Sequence, residues 1–464
     1  MNEFIGRGRE LSLLESAFHS PESSLIPIYG RRRVGKSELI LHFLHDHPGL
    51  YYLGKEAQAG LQIKEFLTVS SELLSEPLLA MIAAENWKEA LTAVVDRWRG
   101  PGKLIIALDE FQWIVGASPE LPSILQDLWD RRWKNSGKVL IILCGSYIGF
   151  MERELLGSKS PLFGRRTAQI YLQPFGYREA RLFHPNYSFV DSARTYFVCG
   201  GIPLYLRAFS PDRSFEMNVQ ESLLGEFSPL FREPDFLLRE ELRDVKNYYA
   251  ILMALSSGSA PSREIARQTG IGDRSLSYYL NQLVELRYLR RRYPITGTRP
   301  AARHVRFVLD DALLRFWFRF IYPNMSSIMH LGAEKVFEVR IRPGIEAYFG
   351  HCFEALCREA LPEIYRREGV TTVFEIGEYW DKGTQIDLVG LRDDGWTDLG
   401  ECKWGSISSQ RAIVDELSAK KARYPNSRNA TIALRIFTRK PAKRAAHLRG
   451  VRWHHLTELY ANED

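Results

Sequence analysis

The run Gly30-Arg31-Arg32-Arg33-Val34-Gly35-Lys36-Ser37 follows the spacing GxxxxGK[ST]. Glycines at those positions let backbone N–H groups turn inward around phosphate oxygens, and the positive end of a following helix adds to the field. A lysine there reaches β- and γ-phosphates, and the hydroxyl after it ligates Mg2+. The expected nucleotide-binding residues are therefore Gly30, Arg31, Arg32, Arg33, Val34, Gly35, Lys36, Ser37 and Glu38. Phosphoryl transfer also needs acids, and Asp109-Glu110 end the apolar run 103–108. Asp109 is the expected second Mg2+ ligand, and Glu110 the group that polarises the attacking water. Ser146 follows a further apolar run, where a hydroxyl senses γ-phosphate or water. Arg165 and Arg166 offer positive charge for the transition state, or form a basic surface loop.

A second set of charged residues stands far downstream. Asp387 lies in one short apolar segment (385–391), and Glu401 and Lys403 lie in the next (397–404), with Asp393-Asp394-Gly395 between them. Three-residue hairpin loops commonly use a type I turn followed by glycine in the left-handed region. That register puts Arg392 opposite Trp396 and Asp387 opposite Glu401, with Lys403 on the same face and Cys402 on the other. A two-residue Asp-Gly loop would instead set Asp387 opposite Cys402. Two carboxylates and a lysine on one face suit Mg2+ or Mn2+ and the positioning of water at a phosphodiester.

The elements needed to position these groups are legible. Residues 24–29 form a short apolar strand before the glycine loop, and 38–44 are apolar at helical spacing after it. Runs 103–108 and 139–144 are continuous apolar strands, as expected of a parallel sheet buried on both faces, whose ligands gather at the strands' C-terminal ends. The fold class is therefore α/β, a P-loop core over 1–175. Residues 176–238 are helical and are expected to form a lid, followed by a winged helix and connector over 239–322. There 262–270 and 273–286 are helices, the second with Leu276, Leu280, Leu283 and Leu286 on one stripe, and 288–293 and 305–309 are paired strands. Arg274, Ser277, Tyr278 and Asn281 would face DNA, with Arg290, Arg291 and Arg292 on phosphates; the alternative is a module used for packing. The aromatic-dense stretch 309–324 reads as a buried helix.

These residues carry two resemblances. Phe4-Ile5-Gly6-Arg7, the glycine loop, Leu108-Asp109-Glu110-Phe111-Gln112 and Gly145-Ser146 resemble the predominantly prokaryotic archaeal-type ATPases of the AAA+/STAND side of the P-loop NTPases. Cys199-Gly200-Gly201-Ile202-Pro203 is similar to the GxP motif of STAND lids. The resemblance implies that Gly6, Arg7 and Pro203 line the base pocket. Asp387, Glu401 and Lys403 resemble the core of the PD-(D/E)xK nucleases, which implies a restriction-endonuclease-like α/β domain over 323–464. It further implies an acid from the preceding helix, a position that Glu354 matches, so Glu354, Asp387 and Glu401 become the expected metal ligands. Ile386 stands where that family often has proline.

With 464 residues, 45% hydrophobic and 25% charged, the chain is of ordinary globular composition and too long for one core. It has no apolar run that would span a bilayer and no signal-peptide core, and its five cysteines have no metal-ligand spacing. A cytoplasmic location without a membrane partner is expected. The formal net charge of +6 permits nucleic-acid binding without requiring it. The expected function is ATP hydrolysis coupled to a Mg2+-dependent nuclease acting on DNA, possible also as a homo-oligomer. The alternatives are a STAND-like switch with the nuclease as a conditional effector, or a DNA-binding regulator with a silent nuclease fold.

Overall fold

The computed structural model describes residues 4–297, 304–441 and 450–461. Packing divides the chain into two units, Met1–Pro174 and Phe175–Asp464.

The first unit is built on five strands: β1 (Ser24–Tyr29), β2 (Gly49–Leu53), β3 (Leu104–Asp109), β4 (Val139–Gly145) and β5 (Ile170–Tyr171), in the order β2-β3-β4-β1-β5. All neighbours run parallel. Every residue of β1, β3 and β4 is buried, which explains their unbroken apolar sequence. One face packs on a core that includes Phe66, Trp87, Leu91 and Phe111. Because the strands are parallel, the loops after β1, β3 and β4 emerge at one edge, and Gly30, Glu110 and Ser146 begin them. Gly30 is demanded by close approach: a Cβ there would stand 2.3 Å from the Leu172 carbonyl oxygen.

The second unit begins with the helical segment expected to be a nucleotide lid. That segment is integrated into this unit: Tyr196 donates to Glu359 at 2.8 Å, Tyr348 to the Phe197 carbonyl at 3.0 Å, and the Trp317 indole to the Phe231 carbonyl at 2.8 Å. Helices Val245–Leu255, Ser262–Thr269 and Asp273–Glu285 follow, then an antiparallel ribbon of β6 (Leu289–Arg292) and β7 (Arg306–Leu309). Leu276, Leu280 and Leu283 are buried as the stripe predicts, whereas Leu286 lies just past the helix end. Phe316, Trp317, Phe318, Phe320 and Ile321 are all buried, so the aromatic stretch is core.

The long helix Arg342–Arg367 leads into a second sheet of β8 (Phe374–Trp380), β9 (Gln385–Arg392), β10 (Trp396–Lys403), β11 (Thr431–Thr438) and β12 (Val451–His455). Its order is β12-β11-β10-β9-β8, antiparallel from β8 to β10 and parallel from β10 to β12. Helix Gln410–Arg423 makes the crossover that a parallel β10–β11 pair requires. Gly390 admits the Tyr365 hydroxyl, which donates to buried Asp398 at 2.6 Å; Asp398 is also paired with Arg435 at 2.6 Å. All five cysteines are buried thiols. Among the described residues no helix is long and apolar enough to cross a membrane.

Candidate functional sites

At the edge of the first sheet the loop after β1 turns through Arg33 (φ 69°) and Gly35 (φ 91°), both left-handed. The helix Lys36–Asp46 starts at once, so its free N–H groups open toward the loop. Lys36 is buried and donates to the Gly30 and Arg31 carbonyls at 3.0 and 2.9 Å. Burial lowers its pKa, while Cys144, Glu110 and Asp109 act against that shift. Ser37 donates to Asp109 Oδ2 at 2.5 Å, which joins the expected Mg2+ ligands of the two motifs. Asp109 is fully buried, and its Oδ1 takes the Glu110 N–H at 2.8 Å. A hydroxyl and a carboxylate in contact at the mouth of a phosphate loop are hard oxygen donors that fit Mg2+.

Glu110 adopts the left-handed region (φ 47°), which turns it out of β3 just before helix Phe111–Ala117. Its carboxylate accepts from Ser146 at 3.0 Å on one oxygen and from Gln112 on the other. Ser146, expected to sense phosphate, thus also holds the acid. Arg7 is buried and donates to the Val34 carbonyl at 3.0 Å, so it braces the back of the loop; Gly6 precedes it at φ 69°. Pro203 opens helix Pro203–Arg207 in the second unit. The glycine before Ile202 has its own cause: a Cβ on Gly201 would meet the Phe175 carbonyl oxygen at 1.8 Å.

The two arginines lie elsewhere. Arg165 is forked onto Asp130, with Nη2 to Oδ2 at 2.7 Å. Thr167, right after Arg166, exchanges hydrogen bonds with Leu25 near the start of β1 (N–H to the Leu25 carbonyl, 3.0 Å). That is the end of the sheet opposite the glycine loop, about 16 Å along the strand from Gly30 at ~3.3 Å per residue. An arginine finger acting within its own subunit does not agree with this position.

In the second sheet the β9–β10 ladder has the register of the three-residue loop, with Leu391 opposite Thr397 and Leu388 opposite Gly400. Simple alternation then breaks. Against β8, Val389 faces Gly377 while Ile386 faces Tyr379, so β9 carries one extra residue at Asp387-Leu388. Asp387 is buried, and its Oδ2 accepts the Cys402 N–H at 3.0 Å. Its pKa is driven well above the carboxylate range, first by burial and then by Glu354 and Glu401. The three expected acids therefore feel one another. Glu401, however, is engaged by two lysines: Lys403 at 2.8 Å and Lys420, from helix Gln410–Arg423, at 2.6 Å. Glu354 pairs with His351 at 3.5 Å. Among the described residues no three His, Cys, Asp or Glu side chains are gathered so as to hold a metal ion. As arranged, the acids do not fit the expected metal set.

Lys420 and Arg358, whose guanidinium donates to the Asp387 carbonyl, escaped the sequence reading. Their only signal is a helical spacing that means nothing until the helices pack. Each ribbon arginine has a protein partner: exposed Arg290 with Asp310 (2.9 Å), exposed Arg291 with Asn281 (2.5 Å) and Arg292 with buried Glu378 (2.8 Å). The chain after β6 runs onto the second sheet, where the Ile295 N–H bonds the Glu378 carbonyl at 2.9 Å and Tyr424 donates to the Ile295 carbonyl at 3.1 Å. Arg274, Ser277 and Tyr278 remain exposed on helix Asp273–Glu285.

Residues 4–209 match an ATPase domain found predominantly in Archaea, and residues 317–414 match archaeal and bacterial proteins of unknown function. The first unit is thus a P-loop ATPase domain of archaeal type, and ATP is its ligand. An uncharacterized protein of Methanocaldococcus jannaschii is 31% identical over 88% of this chain and 89% of its own. The chain belongs to the family of that protein. An uncharacterized ATP-binding protein of the same organism is 46% identical over 9% of this chain and 73% of its own. A Walker-type ATPase of Pyrococcus abyssi shares the fold, with TM-score 0.51 and 20% identity over 68% of this chain and 96% of its own.

Proposed function

We propose that ATP hydrolysis in the first unit controls a nucleic-acid-directed second unit, whose nuclease-like site is a conditional effector. The observation that carries this reading is the state of Glu401, a buried acid beside Asp387 with a lysine on each carboxylate oxygen. Such a site is close to the acid-and-lysine pattern of a phosphodiesterase, yet its acid is held by internal cations. This favours a switched site over a constitutive nuclease.

At the P-loop, Lys36 binds the β- and γ-phosphates, and Glu110, oriented by Ser146 and Gln112, takes the attacking water's proton. Ser37 and Asp109 would hold Mg2+, which neutralises phosphate charge when bound. Gly6 and Arg7 are proposed near the base. Arg165 and Arg166, far from their own loop, would serve a second copy of the chain. Helix Asp273–Glu285 with the β6–β7 ribbon is read as a winged helix whose exposed Arg274, Ser277 and Tyr278 meet duplex DNA.

The test incubates the full chain with DNA and RNA duplexes and single strands, with and without ATP, in Mg2+ or Mn2+, beside Glu401→Ala. Cleavage that needs both ATP and the metal and disappears in Glu401→Ala is expected. Cleavage that persists in Glu401→Ala would remove Glu401 from the chemistry and overturn this site, and none under any condition while duplex DNA still binds would leave a DNA-binding ATPase with a silent nuclease fold.

A further inference from the structure

Asp109 has a third partner that neither motif supplies. Tyr51, on the edge strand β2, lies beside Ala107 of β3 and reaches two residues along to place its hydroxyl 2.6 Å from Asp109 Oδ2. The same oxygen accepts from Ser37 at 2.5 Å. Strand alternation explains the placement: Tyr52 points to the other face and packs against Phe66 and Trp87, which leaves Tyr51 on the face of the glycine loop. The Tyr51 hydroxyl is the donor of this contact, because an ionised carboxylate can only accept.

We propose that Tyr51 is a positioning residue for Mg2+ at the nucleotide site, acting through Asp109. The inference rests on the reading of Ser37 and Asp109 as the metal-holding pair. A carboxylate working beside a metal is useful only in one orientation, and hydrogen bonds to such a ligand typically govern metal affinity by about 10- to 100-fold. Asp109 accepts from Ser37, from the Glu110 N–H and from Tyr51, and Tyr51 lies outside both nucleotide motifs. It also ties β2, whose sequence has no nucleotide motif, to the chemistry at the end of β3.

The experiment compares wild type, Tyr51→Phe and Lys36→Ala as full chains. Mn2+ binding in the presence of ADP is read by electron paramagnetic resonance, ADP binding in EDTA by fluorescence of a labelled ADP, and folding by thermal melting. Phenylalanine keeps the ring and the strand and removes only the hydroxyl. A fall of roughly tenfold or more in Mn2+ affinity is expected for Tyr51→Phe, with ADP binding in EDTA and the melting temperature unchanged. ATP turnover should then require about tenfold more Mg2+ for half-maximal rate and recover at saturating metal. Mn2+ affinity within twofold of wild type would overturn the proposal, as would equal losses in melting temperature and metal-free ADP binding, which mark a merely structural role. If wild type binds ADP no better than Lys36→Ala, the nucleotide reading fails and this inference fails with it.

Discussion

Lys36 and Glu110 occupy the same sheet edge but are held differently, and their substitutions should separate binding from turnover. Lys36→Ala removes a buried ammonium whose partners are the loop carbonyls, so the charge-assisted phosphate contact goes with it. ATP affinity is expected to fall at least roughly tenfold, by equilibrium binding. Glu110→Gln keeps the hydrogen-bonded frame of Ser146 and loses the base; binding should persist while turnover drops by about 100-fold or more. Asp387 makes a pH prediction. Its pKa is raised to about 8 in the fold, so the folded state holds its proton more tightly than the unfolded chain. The stability from that protonation is complete below about pH 4 and is lost as pH climbs toward 8. Urea unfolding across this range should show Asp387→Asn gaining on wild type as pH rises, because asparagine has no charge to bury.

At the scale of elements, the β6–β7 ribbon couples to the second sheet through Arg292 and the chain that follows it. Arg292 Nη1 lies 2.8 Å from Glu378, and Arg358 is the next cation, at 3.7 Å. Arg292→Ala would leave a buried carboxylate with one distant partner, at a cost of about 3 kcal/mol, checked by the urea midpoint. Arg290 and Arg291 behave otherwise. Arg290 is 57% exposed in its pair with Asp310, an interaction of little net worth that a phosphate can replace. Neutralising Arg290 and Arg291 together should leave stability near wild type and lower the salt slope of duplex DNA binding by roughly 0.9 for each phosphate no longer neutralised. An unchanged slope would assign the ribbon to packing alone.

For the whole molecule, the division at Pro174 and Phe175 separates the P-loop from the Asp387–Glu401 site. Glu401→Ala is accordingly expected to leave basal ATP turnover within about twofold of wild type, because additivity holds for sites without shared partners. The position of Arg165 and Arg166 at the far end of β1 makes a second prediction. Turnover per protomer should rise with protein concentration, and Arg166→Ala should abolish that rise. A rate per protomer independent of concentration, unaffected by Arg166→Ala, would remove the arginines from the catalytic account.

The sequence by itself determined whatever depends on local order. Glycine spacing, a lysine followed by serine, and acids ending a β-branched apolar run are contiguous signals, and they specified the P-loop, β3 and the parallel core. The length of the Asp393-Asp394-Gly395 turn likewise set the β9–β10 register, because hairpin geometry is short-range. Tertiary structure decided what meets across the chain. The extra residue in β9 follows from pairing with β8 and redirects Asp387 toward the Cys402 N–H. Lys420 reaches Glu401 because the crossover helix packs on β10, and Tyr51 reaches Asp109 because β2 adds beside β3. Arg292 turns inward because the chain after β6 docks on the second sheet. Charges and hydroxyls carry no directional code in sequence; only packing fixes which of them share one carboxylate.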